Sequence, residues 1–174
     1  MSDCCSINAK TETAPAVMTC PVSGARSKHV DALTVKSLVR QLPFGMPNTE
    51  YYFCEAADCD VVYFPFDAKA PMFRRADLLV RVGSKETENP IPVCYCFGFT
   101  RKDIQKEITE TGHSTVANRI SAEVNAGNCA CEVKNPSGKC CLGDVTRVTQ
   151  ECLLNRPVRA KKNRNVAAGG KESL

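Results

Sequence analysis

Residues 51–64 read YYFCEAADCDVVYF, and this stretch decides the first half of the fold. Tyr51-Tyr52-Phe53 and Val61-Val62-Tyr63-Phe64 are runs of aromatic and β-branched residues of strand length. The polar turn between them is bracketed by Cys54 and Cys59, so a hairpin carries a thiol at each end of its loop. Strand character returns at Leu78-Leu79-Val80-Arg81-Val82. Upstream, Thr34 reads as the cap of a short helix from Val35 to Leu42. Val35, Leu38, Val39 and Leu42 fall on one apolar face, and Pro43 ends the helix.

The second half reads as helical. Gly83 to Pro90 collects turn formers and charges and marks the boundary. Beyond Cys94 and Cys96, Thr100 with Asp103 forms a capping box, Ile104 and Ile108 share a face, and Gly112 stops the helix. Ser114 starts the next, with Val116, Ile120 and Val124 on one side and Gly127 beyond its end. Asp144 reads as the cap of a third, carrying Val145, Val148, Cys152 and Leu153. The expectation is an α+β chain: a flexible arm over 1–18, a small β-rich unit over 19–83, a helical unit over 84–155, and a disordered basic tail over 156–174.

Cysteine usage sets the chemistry. Twelve of 174 residues are cysteine, a density that means disulfides outside the cell and thiolates or metal ligands inside it. The start, MSDCCSINAK, has neither a basic segment nor an apolar core of a secretion signal, and no run reaches the length of a membrane span. A cytoplasmic protein with reduced thiols and no membrane insertion is expected. C-x-C and adjacent C-C pairs are awkward for disulfides and natural around a metal cluster. The net charge of +4 owes much to the tail, so nucleic acid is not an expected partner. No phosphate loop, nucleophile elbow or paired His and nucleophile is legible, and the chain is expected not to be an enzyme.

Cys94-Tyr95-Cys96 precedes a helix start, and Cys129, Cys131, Cys140 and Cys141 arrive in the loop after the next helix. Four thiolates carried by two loops is what a [2Fe–2S] centre requires, and helix N-termini help offset its negative charge. Ligand softness alone leaves zinc open at the same place. Cys152 reads as a buried core thiol. In the first half, Cys20, Cys54 and Cys59 supply three thiolates for a zinc ion. The fourth ligand is left among His29, Asp60, Cys4, Cys5 and water, and water would leave the site open. The vicinal pair Cys4-Cys5 suits capture of a soft ion such as Cu(I).

VCYCFGFTRKDIQKEI followed by NCACEVKNPSGKCCLGDV resembles the iron–sulfur half of CopZ-type metallochaperones, itself related to bacterioferritin-associated ferredoxins. TCPVSG and YYFCEAADCDVVYF resemble the zinc-binding N-terminal region of the same family, so the resemblance covers about residues 18 to 152. It implies one zinc ion and one [2Fe–2S] cluster, the latter on Cys94, Cys96, Cys131 and Cys141 with Cys129 and Cys140 as alternates. The family's C-P-x-C-like knuckle meets Ser23 here in place of its second cysteine. The family's heavy-metal-associated copper domain is not expected in this chain. The resemblance implies soft-metal handling, with copper foremost and the cluster as electron donor. The implied partners are metal ions, a small copper chaperone, a metal-transport ATPase or a redox partner. A ferredoxin-like electron carrier and a non-redox zinc protein are the alternatives.

Overall fold

The computed structural model describes residues 13–155. Five antiparallel strands run in chain order, β1 (Val17–Thr19), β2 (Arg26–Val30), β3 (Tyr51–Phe53), β4 (Val61–Pro65) and β5 (Phe73–Arg74). The hairpin expected from residues 51–64 is present, with Tyr52 opposite Phe64 and Phe53 opposite Tyr63. Strand alternation sends successive side chains to opposite faces, and here both faces are covered, which is why the runs are apolar throughout. Tyr51 and Phe53 face a core with Val30, Val35, Val62, Tyr63, Phe73 and Leu78. Tyr52 faces the other way, among Cys20, Cys54, Cys59, Val61 and Phe64. Helix α1 (Ala32–Leu38) links β2 to β3.

Several expectations are corrected. The segment read as an arm gives Val17 and Met18 to β1, because pairing with β2 fixes a stretch that has no periodicity of its own. Helix α1 begins three residues before Val35, capped by the Asp31 carboxylate, which accepts from the Leu33 N–H at 2.7 Å. Thr34, read as the cap, lies inside the helix and is buried. Leu78–Val82 forms no strand. Asp77 accepts from the Arg74 N–H at 2.7 Å in a tight 3-10 turn, and only Leu78 bridges to Val39 at the exit of α1.

The second half opens with a ribbon of β6 (Pro92–Cys94) and β7 (Phe99–Thr100), followed by α2 (Arg101–Thr111), α3 (Val116–Asn125), α4 (Cys131–Lys134) and α5 (Leu142–Leu154). The capping box at Thr100 and Asp103 is formed, and Gly112 ends α2 in the left-handed conformation at φ 93°. Ile104, Ile108, Val116, Ile120, Val145, Val148 and Cys152 build its core, so Cys152 is a packed thiol. Asp144 is not a cap: α5 starts two residues earlier, at the residue after Cys141.

The two halves are joined through specific polar contacts. Thr34 Oγ1 donates to the Glu132 carbonyl at 2.6 Å, and the buried Tyr63 hydroxyl donates to the Pro136 carbonyl at 2.8 Å. Helix α4 and the turn after it, residues 131–138, are thereby seated on α1 and the sheet. At the boundary segment the Gly83 N–H donates to the Tyr95 hydroxyl at 2.7 Å. A side chain at Gly83 would put its Cβ 1.9 Å from the Pro92 carbonyl oxygen, so the close approach requires glycine.

Candidate metal centres

Each cysteine of the first centre sits at a strand end. Cys20 follows β1, its N–H donating to the Ala25 carbonyl at 2.8 Å while its own carbonyl accepts from the Gly24 N–H at 2.9 Å. Gly24 turns the chain at φ 72°, where a side chain would be strained. Cys54 follows β3 and donates its N–H to Val62, and Cys59 lies two residues before β4. The register of two hairpins brings the three Sγ atoms within 4.8 Å of one another, all buried. Tetrahedral thiolates around zinc stand about 3.8 Å apart, from Zn–S bonds of about 2.3 Å, so the set fits one zinc ion.

The surroundings favour thiolates unevenly. Burial pushes the Cys20 thiol up, but hydrogen bonds from the Ser23 hydroxyl, the Ser23 and Val22 N–H groups and Cys54 bring it down to about 7. Burial raises Cys54. Lys85, buried, donates from Nζ to the carbonyls of Ala56 and Cys59 at 2.6 and 3.1 Å, bracing the loop that carries two of the sulfurs. Sequence reasoning missed Lys85, since a lysine in a polar Gly-Ser-Lys-Glu turn gives no sign that it folds back into the preceding unit.

Among the described candidates for a fourth ligand, His29 and Asp60 do not join this set. His29 is paired through Nε2 with the Glu50 carboxylate, its ring edge-on to Tyr52 at 6.0 Å. Asp60 faces Arg74 and Arg75, at 3.3 and 3.4 Å. A hydrogen bond holds His29 and ion pairs hold Asp60, both at the surface. Cys4 and Cys5 lie outside the described residues. Ser23 Oγ, in contrast, stands 3.4 Å from Cys54 Sγ.

The second centre is assembled differently. Cys94 ends β6, Cys96 lies in the turn to β7, Cys131 is the first residue of α4, and Cys141 caps α5. Their sulfurs meet as two pairs: Cys94 with Cys141 at 2.9 Å, and Cys96 with Cys131 at 3.5 Å. Among the described residues these four do not gather as Cys20, Cys54 and Cys59 do, with three sulfurs all within 4.8 Å. Two two-thiolate pairs suit two metal atoms side by side, the donor set of a [2Fe–2S] cluster. The Ala130 N–H donates to Cys96 Sγ at 3.4 Å, and the start of α5 presents its positive end beside Cys141.

Within the Cys94–Cys141 pair the two thiols shift in opposite senses. The bond from Cys141 draws the Cys94 thiol down to about 6, and the same bond together with burial pushes Cys141 up. Burial and the contact with Cys96 push Cys131 up to about 12. Of the alternates, Cys129 is half-buried and Cys140 exposed, and the charge of Cys140 adds to the upward push on Cys131 and Cys141. Arg101, the first residue of α2, is bound to Glu151 at 2.8 Å.

A family profile described as a zinc binding domain of the CopZ type matches residues 17–78. Over 132 residues the chain is 34% identical to the copper chaperone CopZ of Archaeoglobus fulgidus, which is 76% of this chain and 62% of that protein. The chain therefore spans somewhat less than two thirds of the curated relative. The X-ray structure of the Archaeoglobus fulgidus CopZ N-terminal domain is similar with a TM-score of 0.62 and 33% identity, over 75% of this chain and 97% of that one.

Proposed function

Since the chain belongs to the family of the CopZ N-terminal domain, we propose that it handles soft metal ions, with zinc on Cys20, Cys54 and Cys59 and a [2Fe–2S] cluster on Cys94, Cys96, Cys131 and Cys141. The observation that carries the cluster reading is the division of the second set into two close pairs. A lone zinc ion would draw four sulfurs into one tetrahedron with edges of about 3.8 Å. A cluster bound there supplies single electrons, and the one-electron step from Cu(II) to Cu(I) yields the oxidation state that thiolates hold well.

The name of the curated relative points to copper as the ion handled; a small copper chaperone or a metal-transport ATPase as recipient, and a cytoplasmic setting, complete the proposal. This role rests on binding and electron transfer rather than on a catalytic constellation. Among the described residues no helix is long and apolar enough to cross a membrane.

Anaerobic purification without added metal, followed by elemental analysis and a visible spectrum before and after dithionite, tests the reading. About two irons and one zinc per chain, with a brown colour that bleaches on reduction, is the expected result. Colourless protein holding zinc alone would reduce the chain to a non-redox binding module. Reversible bleaching without stoichiometric Cu(I) binding would make it a ferredoxin-like carrier.

A further inference from the structure

The first centre has three sulfurs and one remaining corner, and what stands at that corner is Ser23. The hairpin turn that carries Cys20 continues through Pro21, Val22 and Ser23 before Gly24 reverses it. Ser23 Oγ lies 3.4 Å from Cys54 Sγ. In a tetrahedral zinc site with Zn–S bonds of about 2.3 Å and a Zn–O bond of about 2.0 Å, a sulfur and an oxygen donor stand about 3.5 Å apart. The hydroxyl is thus at the separation from Cys54 that a fourth, oxygen donor would have.

The turn at this corner faces solvent. Cys20, Cys54 and Cys59 are buried, whereas Pro21, Val22, Ser23 and Gly24 are exposed.

The charge around the site agrees. Zinc with three thiolates and a neutral oxygen carries a net charge of about −1, against about −2 with four thiolates. Lys85 brings one buried positive charge to the same loop, and its ammonium is held by the Ala56 and Cys59 carbonyls. Among the described residues no carboxylate lies within ion-pair reach of it. A buried ammonium without an acidic partner is costly unless a counter-charge is close. A singly negative zinc centre supplies one of matching size.

We infer that the zinc centre is an open three-thiolate site, its fourth position held by an oxygen at Ser23 and exchangeable for an incoming soft ligand such as a small thiolate. Sites of this kind keep a position for exchange, whereas four-thiolate sites are closed. The inference rests on zinc occupancy of the first centre.

Zinc K-edge X-ray absorption on the full chain, with zinc stoichiometry measured on the same sample, tests it. The expected spectrum fits three sulfurs and one oxygen. Adding a millimolar small thiol should raise the sulfur count to four. The Ser23→Cys variant should show four sulfurs from the outset, ignore the added thiol, and hold zinc at least about tenfold longer against a chromogenic chelator. Four sulfurs in the unaltered protein that fall to three in a Cys4→Ser, Cys5→Ser double variant would overturn the inference and leave the zinc centre intact. A nitrogen donor in the fourth place would overturn it as well. A chain that binds no zinc overturns the zinc reading and this inference together.

Discussion

Cys20, Cys54 and Cys59 sit at the ends of sheet strands, and hairpin register gathers their sulfurs into one compact set. Cys94 ends a short two-stranded ribbon and Cys96 lies in its turn, while Cys131 and Cys141 stand at two helix starts, and the four meet as two separate couples. The same residue type is thus presented in two groupings, and grouping selects nuclearity. A single set of three leaves a corner for one further donor on one ion, and two couples offer each of two metal atoms a pair. The supports differ in kind too. The first site is braced by a buried lysine from the boundary segment, and the second is bordered by backbone N–H groups and a helix N-terminus.

The sharpest way to break the contrast is to delete one thiol from each set. Cys96→Ala should abolish the visible spectrum and all bound iron while zinc stays at about one per chain. Cys54→Ala should do the reverse, releasing zinc and destabilising the sheet unit by roughly 3–5 kcal/mol, with the colour retained. Metal analysis of both variants checks this, and loss of both metals from either one would show that the two centres are not separable.

A smaller effect is expected at Lys85. Lys85→Met removes the two hydrogen bonds from the ammonium, leaving the Ala56 carbonyl only the Cys59 N–H, which should cost roughly 2–3 kcal/mol in chemical denaturation and speed zinc release, with the visible spectrum unchanged. Tyr63→Phe should have the smallest effect. It removes the hydrogen bond to Pro136, and about 1 kcal/mol of stability should be lost without a change in either metal content. A Tyr63→Phe variant that loses iron would mean that docking of the 131–138 segment on the sheet holds the cluster pocket in shape.

The elements that sequence made legible are those whose signal is local. Two apolar runs around a cysteine-bracketed turn could only be a hairpin, and a Thr-x-x-Asp start with a glycine stop marked α2. Elements set by partners were not legible. β2 reads RSKHV, with no run of apolar residues, and is a strand because β1 and β3 pair with it. Leu78–Val82 has the composition of a strand, yet the 3-10 turns on either side leave it outside the sheet. Thr34 has the chemistry of a cap, but Asp31 takes that role and frees the threonine to bond across the two halves.

The sequence by itself determined the chemical class: cysteines at these spacings, between an apolar hairpin and capped helices, commit the chain to metal thiolate chemistry in an α+β frame. Ligand type and local pattern are written in consecutive residues. Only the tertiary structure decided which sulfurs meet. It paired Cys94 with Cys141 and Cys96 with Cys131, drew His29 to Glu50 and Asp60 to two arginines, and set Ser23 beside Cys54. Those outcomes depend on distances between residues far apart in the chain, which strand register and helix packing fix and local spacing does not.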